Sequence, residues 1–169
     1  SNILAAEKKQ KTYALMLMAD IYIVNSDFNG AETTITSAFE NCDSPDYLPY
    51  IYNTFGRIYQ ELHDYDESIK YYKKSINDSL SAIDKSILQN NIAVVYLEKK
   101  EYKKAINLLE NLAEEELLKN NKPQLAKVID NLGYAYFKTN NPNAEKLLQK
   151  SATIREKENN SSEIISSFM

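Results

Sequence analysis

The chain has 169 residues, 43% of them hydrophobic and 26% charged, and a net charge of −4. That composition fits one globular domain or one array of small repeats, and it argues against disorder. With 3 Gly, one Cys, one His and no Trp, it excludes a glycine-rich phosphate loop, an internal disulfide, a cysteine zinc cluster and a multi-histidine metal site.

In chain order, four similar segments recur. They are 15–22 (LMLMADIY), 52–59 (YNTFGRIY), 89–96 (QNNIAVVY) and 129–136 (IDNLGYAY), each ending in a tyrosine: Tyr22, Tyr59, Tyr96 and Tyr136. The intervals are 37, 37 and 40 residues. Three residues before each tyrosine stands a small residue (Ala19, Gly56, Ala93, Gly133), preceded by a large apolar one (Met18, Phe55, Ile92, Leu132). This spacing puts the tyrosine and its apolar companions on one helical face and predicts them as core.

A second amphipathic segment follows each tyrosine. Phe28, Tyr65 and Tyr102 open it, and Ala31, Ser68 and Ala105, then Ile35, Tyr72 and Leu109, then Ala38, Ser75 and Leu112 continue it. The fourth copy keeps Ala144, Leu148 and Ser151 but is one residue shorter at a turn containing Pro142. Each pair reads as a helix hairpin with a polar turn. A single hairpin cannot bury its own apolar faces, so neighbouring hairpins must stack. A helix-interior glycine costs about 0.5–1 kcal/mol relative to alanine, so Gly56 and Gly133 at one repeat position imply close helix packing.

The pattern resembles the tetratricopeptide repeat family, most clearly in Tyr52, Phe55, Gly56, Tyr59, Ser68, Tyr72 and Ser75. The resemblance covers about residues 12–155, and periods of 37–40 resemble the longer repeats of bacterial regulators. It implies an all-α, right-handed superhelical solenoid spanning 1–169 as one domain. Its repeats would fall near 12–45, 49–80, 86–120 and 126–157, with 161–169 starting a further helix. Ile164, Ile165 and Phe168 would then lack a downstream neighbour, which suggests a fragment of a longer protein or an end through which copies self-associate.

In that family the first helix of each pair lines a concave groove. The positions implied here are Tyr13, Met16, Asp20 and Ile23, then Tyr50, Asn53, Arg57 and Gln60. The third repeat supplies Ile87, Asn90, Val94 and Leu97, and the fourth Lys127, Asp130, Asn131, Tyr134 and Phe137. Apolar, aromatic and amide side chains of this mixture suit an extended peptide or an amphipathic helix. Asn53, Asn90, Asn91 and Asn131 could pair with a peptide backbone, since an amide both donates and accepts. A carboxylate clamp, which wants Lys, is disfavoured by Met16 and Asn53.

No catalytic motif is present. His63 reads as an exposed turn residue, Cys42 as a half-buried small side chain, and Glu114-Glu115-Glu116 as a solvated helix face. The basic residues are almost all Lys, with Arg57 and Arg155 the only arginines, a poor set for bidentate recognition of nucleic acid. No apolar run approaches the roughly 18 residues of a membrane span. The expectation is a non-catalytic binding module without cofactor or metal, taking a protein or peptide partner. No signal peptide is recognised, and one cysteine suits either a bacterial cytoplasm or a periplasm.

Overall fold

The computed structural model describes residues 2–115 and 119–167, with side chains at 4, 6–115 and 119–158. The described residues form helices and turns and no strand, as the repeat pattern predicts. The chain divides into two compact units, Ser1–Ser81 and Ala82–Met169. Each is two helix hairpins.

In the first unit α1 (Asn2–Val24) pairs with α2 (Phe28–Glu40), and α3 (Leu48–Glu61) pairs with α4 (Tyr65–Ser75). A 3-10 turn, Pro45–Tyr47, leads into α3. The second unit pairs α5 (Ala82–Glu98) with α6 (Tyr102–Glu114) and α7 (Lys122–Lys138) with α8 (Ala144–Ser167). Pro49 and Pro123 sit in the first turns of α3 and α7, where a missing N–H costs nothing.

The same turn closes every hairpin. Ser26, His63, Lys100 and Asn140 adopt left-handed backbone, with φ between 56° and 62°. The N–H of the next residue returns to the carbonyl of the repeated tyrosine: Asp27 to Tyr22 and Asp64 to Tyr59 at 2.9 Å, Glu101 to Tyr96 and Asn141 to Tyr136 at 2.8 Å. This is the Schellman closure of a helix C-terminus. The residue that completes it also starts the next helix. Asp27 accepts from the Gly30 N–H at 2.9 Å, and Asp64 from the Glu67 N–H at 3.3 Å. Glu101 holds the equivalent place but pairs with Lys104 and Lys99. Those lysines pull its carboxyl below the usual range, Lys104 contributing most.

A left-handed non-glycine residue costs about 1–2 kcal/mol, less for Asn. Lys100→Gly should therefore raise unfolding stability by about 0.5–1 kcal/mol, and Asn140→Gly by less. Urea midpoints measure both, and a lowered midpoint for Lys100→Gly would show that its turn carries no such cost.

The core of the first unit joins Ala19, Ala31, Ile35, Ala38, Ile51, Phe55 and Ile58. That of the second joins Ala93, Leu97, Ala105, Leu109, Leu112 and the buried side of α7 from Leu125 to Ala135. Buried serines of the second helices bond to carbonyls of the first: Ser68 to Gly56 at 2.8 Å, Ser75 to Pro49 at 2.5 Å and Ser151 to Ala126 at 3.0 Å. Small hydroxyl residues thus recur at these positions because the helices nearly touch there.

Three expectations are corrected. Met18 and Leu148 are exposed rather than core. Met18 lies on the first helix of its unit, with no helix packed ahead of it there. The four repeated tyrosines are only half-buried, and the hydroxyls of Tyr59 and Tyr136 meet carboxylates of the neighbouring helices. Finally, α8 runs unbroken through 157–161, where a new helix was expected to start. Asn159, Asn160, Ser161 and Ser162 are weak helix formers, but no Gly or Pro interrupts the stretch.

Candidate partner-binding faces

The candidate faces lie on the sides of α1, α3, α5 and α7 turned away from the cores. In the first unit Tyr13 and Tyr50 are exposed. Met16 and Ile23 are partly buried and pack against the core. Arg57 donates to Asp20, tying α3 to α1, so this arginine is already neutralised. Gln60 accepts from the Tyr72 hydroxyl at 3.0 Å. Asn53 is half-buried, and its Oδ1 has no hydrogen-bond partner among the described residues. A buried acceptor left so is costly unless a donor reaches it.

The second unit departs further from the sequence expectation. Leu97 belongs to the core, and Asn90 is only 7% exposed. Asn131 Nδ2 donates to Asn90 Oδ1 at 3.0 Å, linking α7 to α5. The amide pair is thus a structural bridge, with Asn131 and Asn91 half-buried beside Val94. Lys127 and Ile87 are exposed. Asp130 accepts from Arg155 of α8. The open part of this face is Tyr134 with Phe137, which is 63% exposed. The Lys138 ammonium lies 5.2 Å from the Tyr134 ring centre and 5.9 Å from that of Phe137. One turn of α7 therefore presents two aromatic rings and a cation.

Two features escaped the sequence reading. Lys138 is one of many lysines until the fold shows it over two rings. The tyrosine-rich stretch 47–72 builds an aromatic stack inside the first unit. Tyr71 stacks on Phe55 at 4.9 Å and on Tyr59 at 5.4 Å, and Lys74 lies over it. The crowding of seven tyrosines there was the available signal.

Outside these faces two of the repeated tyrosines give their hydroxyls to acids. Tyr59 donates to Glu32 at 2.7 Å, and Tyr136 donates to Glu110. The carboxylate bond, then burial, pushes Tyr136 up to about 12 and raises Tyr59 as well. Among the described residues no group of His, Cys, Asp and Glu could hold a metal, and no helix is long and apolar enough to cross a membrane. His63 is exposed against Tyr65, and Cys42 is half-buried with its Sγ 3.1 Å from the Ser44 carbonyl. Glu116 and Phe168, and the side chains of Ile164 and Ile165, lie outside the described residues.

Paired antiparallel helices with one repeated turn define a helical-hairpin repeat protein. Residues 49–77, the second hairpin, match the family model described as tetratricopeptide repeat. The match covers that one hairpin, and the fold of the chain is like that of solved tetratricopeptide-repeat structures. Comparison with curated proteins gives no match. Among solved structures, Pseudomonas aeruginosa PilF is similar at 18% identity with a TM-score of 0.71. That alignment covers 89% of this chain and 64% of the PilF chain, so this chain spans less than two thirds of PilF. A Podosopora anserina kinesin light chain-like protein with nearly identical TPR-like repeats aligns at 15% identity and a TM-score of 0.71. It is covered over 84% of its length and covers 94% of this chain.

Proposed function

We propose that this chain is a non-catalytic scaffold that binds a protein or peptide on the open faces of its first helices. We further propose that it is the sensory or interaction module of a larger bacterial regulatory protein. The observation that carries the binding reading is the exposed Tyr134, Phe137 and Lys138 cluster on α7. Large aromatic rings cost about 25 cal/mol per Å2 of apolar surface left in water, and aromatic anchors dominate binding energies. Lys127 and Asn131 lie on the same helix as this cluster, and the first unit offers Tyr13, Tyr50 and Asn53 on its own first helices. Tetratricopeptide-repeat proteins typically bind protein partners, which agrees with this reading.

Panning the immobilised chain against displayed random peptides tests it. Peptides enriched on the wild type should lose at least about tenfold affinity for Tyr134→Ala with Phe137→Ala, since each aromatic anchor contributes more than about 1 kcal/mol. Stability should change by less than about 0.5 kcal/mol, because both residues are surface positions. Enriched peptides that bind the double variant equally would place the site elsewhere.

A further inference from the structure

Two grooves of this chain correspond through the repeat. In the first unit α2 and α4 both pack beside α3, and in the second α6 and α8 both pack beside α7. In each case the first helix between them forms the floor.

The first unit fills its groove with its own rings. Tyr71 of α4 stacks on Phe55 at 4.9 Å and on Tyr59 at 5.4 Å, with Tyr52 at 6.2 Å. Phe39 of α2 closes the row, 6.0 Å from Tyr52. The Lys74 ammonium lies 5.3 Å from the Tyr71 ring centre and 5.7 Å from that of Tyr52. Lys70 lies 5.7 Å from the Tyr71 ring centre and is paired with Glu67 at 2.8 Å.

The second unit keeps the frame and lacks the filling. By position in the repeat, Phe39, Tyr52 and Tyr71 give way to Ala113, Ile129 and Leu147, whereas Lys70 and Lys74 recur as Lys146 and Lys150. Between α6 and α8 there is accordingly an open groove of about 830 Å3, lined by Ala113, Leu132, Tyr136, Leu147 and both lysines. That volume falls in the range of about 300–1,000 Å3 found for ligand pockets. The acid is missing as well, because Asn143 stands where the first unit has Glu67. Among the described residues, neither Lys146 nor Lys150 is in an ion pair or over a ring. The α6 wall carries Glu114 and Glu110, the latter bonded to Tyr136. A carboxylate entering the groove therefore belongs on the α8 side, with the lysines.

We infer that this groove binds a segment of another protein that presents a tyrosine or phenylalanine ring beside a carboxylate. The ring enters over Leu132, next to Leu147 and under Lys150, as Tyr71 lies over Phe55 and under Lys74. The carboxylate meets Lys146, as Glu67 meets Lys70. Burial of the ring's apolar surface and the cation over its face both favour the complex. This inference is independent of the first-helix face proposed above. Leu132 and Tyr136 share one side of α7, and Tyr134 and Phe137 share the other.

A magnetic-resonance titration of the isotope-labelled full chain with acetyl-Asp-Tyr-Asp-amide, to millimolar concentration, tests it. The methyl signals of Ala113, Leu132 and Leu147 should shift and saturate, while the ring signals of Tyr134 and Phe137 stay in place. Acetyl-Asp-Leu-Asp-amide lacks the ring and acetyl-Asn-Tyr-Asn-amide lacks the acids, so each should bind about threefold more weakly or worse. Ala113→Phe with Leu147→Tyr rebuilds the filling of the first unit and should lower affinity by about tenfold or more, because the space is taken. Lys150→Glu changes an exposed side chain and should weaken binding by about tenfold through like charge, with an unchanged melting curve. Methyl signals that do not move, three tripeptides that bind alike, or full affinity in the filled variant would each overturn the proposal. If the filled variant does not fold, full affinity in Lys150→Glu overturns it instead. Shifts confined to Tyr134 and Phe137 would also overturn it, and would leave the first-helix face standing.

Discussion

Tyr72→Ala is expected to destabilise the first unit by about 3–5 kcal/mol, the range for removing a large buried aromatic side chain. Tyr72 is 1% exposed, its ring lies against Gly56, and its hydroxyl donates to Gln60 at 3.0 Å. Truncation opens a cavity between α3 and α4 that the backbone cannot close. The neighbours are fixed by Ser68 and Ser75, which hold the carbonyls of Gly56 and Pro49. Tyr72→Phe keeps the ring and gives up only the hydroxyl bond, a loss of about 0.5–1.5 kcal/mol. Urea unfolding followed by circular dichroism separates the two. A cost below about 1 kcal/mol for the alanine variant would mean that the helices collapse onto the vacated space.

The second large effect is a contrast between two glycines at the same repeat position. A methyl group at Gly56 would lie 2.7 Å from a ring carbon of Tyr72. That ring is rigid and fully enclosed, so Gly56→Ala should cost about 1–3 kcal/mol through overpacking. At Gly133 the methyl would meet Leu148 Cδ2 at 2.8 Å and Cγ at 2.9 Å, with the Leu148 backbone nitrogen at 3.4 Å. Leu148 is branched but flexible and partly exposed, so it can turn aside into solvent. Gly133→Ala should then cost clearly less than Gly56→Ala, the better helix propensity of alanine offsetting part of the shift. Equal costs at the two sites, read from the same unfolding curves, would refute the distinction between a rigid and a yielding neighbour.

Much of the fold was legible because the repeat is written in steric terms. Ala19, Gly56, Ala93 and Gly133 mark where helices meet, and the tyrosines three residues later mark where each first helix nears its end. The hairpin turn was harder to see. Ser26, His63, Lys100 and Asn140 share a left-handed backbone but no side-chain chemistry, so no residue type announced it. The candidate faces were read less well, for the same reason in several places. Position on a helix tells which way a side chain leaves the backbone, but not whether another side chain meets it. Arg57 and Asp130 point as expected but are paired with Asp20 and Arg155. Asn90 and Asn131 spend their amides on each other. Leu97 lies at the edge of its helical face, where the approach of α6 and α7 buries it. Met18 failed the other way: the repeat demands a core residue there, and what buries its counterparts is a preceding helix that the first unit does not place on α1.

Because one residue both ends the first helix of a hairpin and caps or opens the second, the polypeptide has no spare length at that corner. Asp27 and Asp64 each answer to two helices at once, so a residue gained or lost at those two turns would misdirect both; the fourth turn, one residue shorter, closes on Asn141 and starts its second helix separately at Ala144. Length variation should therefore collect chiefly at the other corners, between hairpins, where 41–47 and 76–81 differ in sequence and form. The hairpin is then the unit of inheritance. Whole hairpins can be duplicated, deleted or exchanged by cutting at those corners, while a cut at the tight turn would leave two helices with no shared cap.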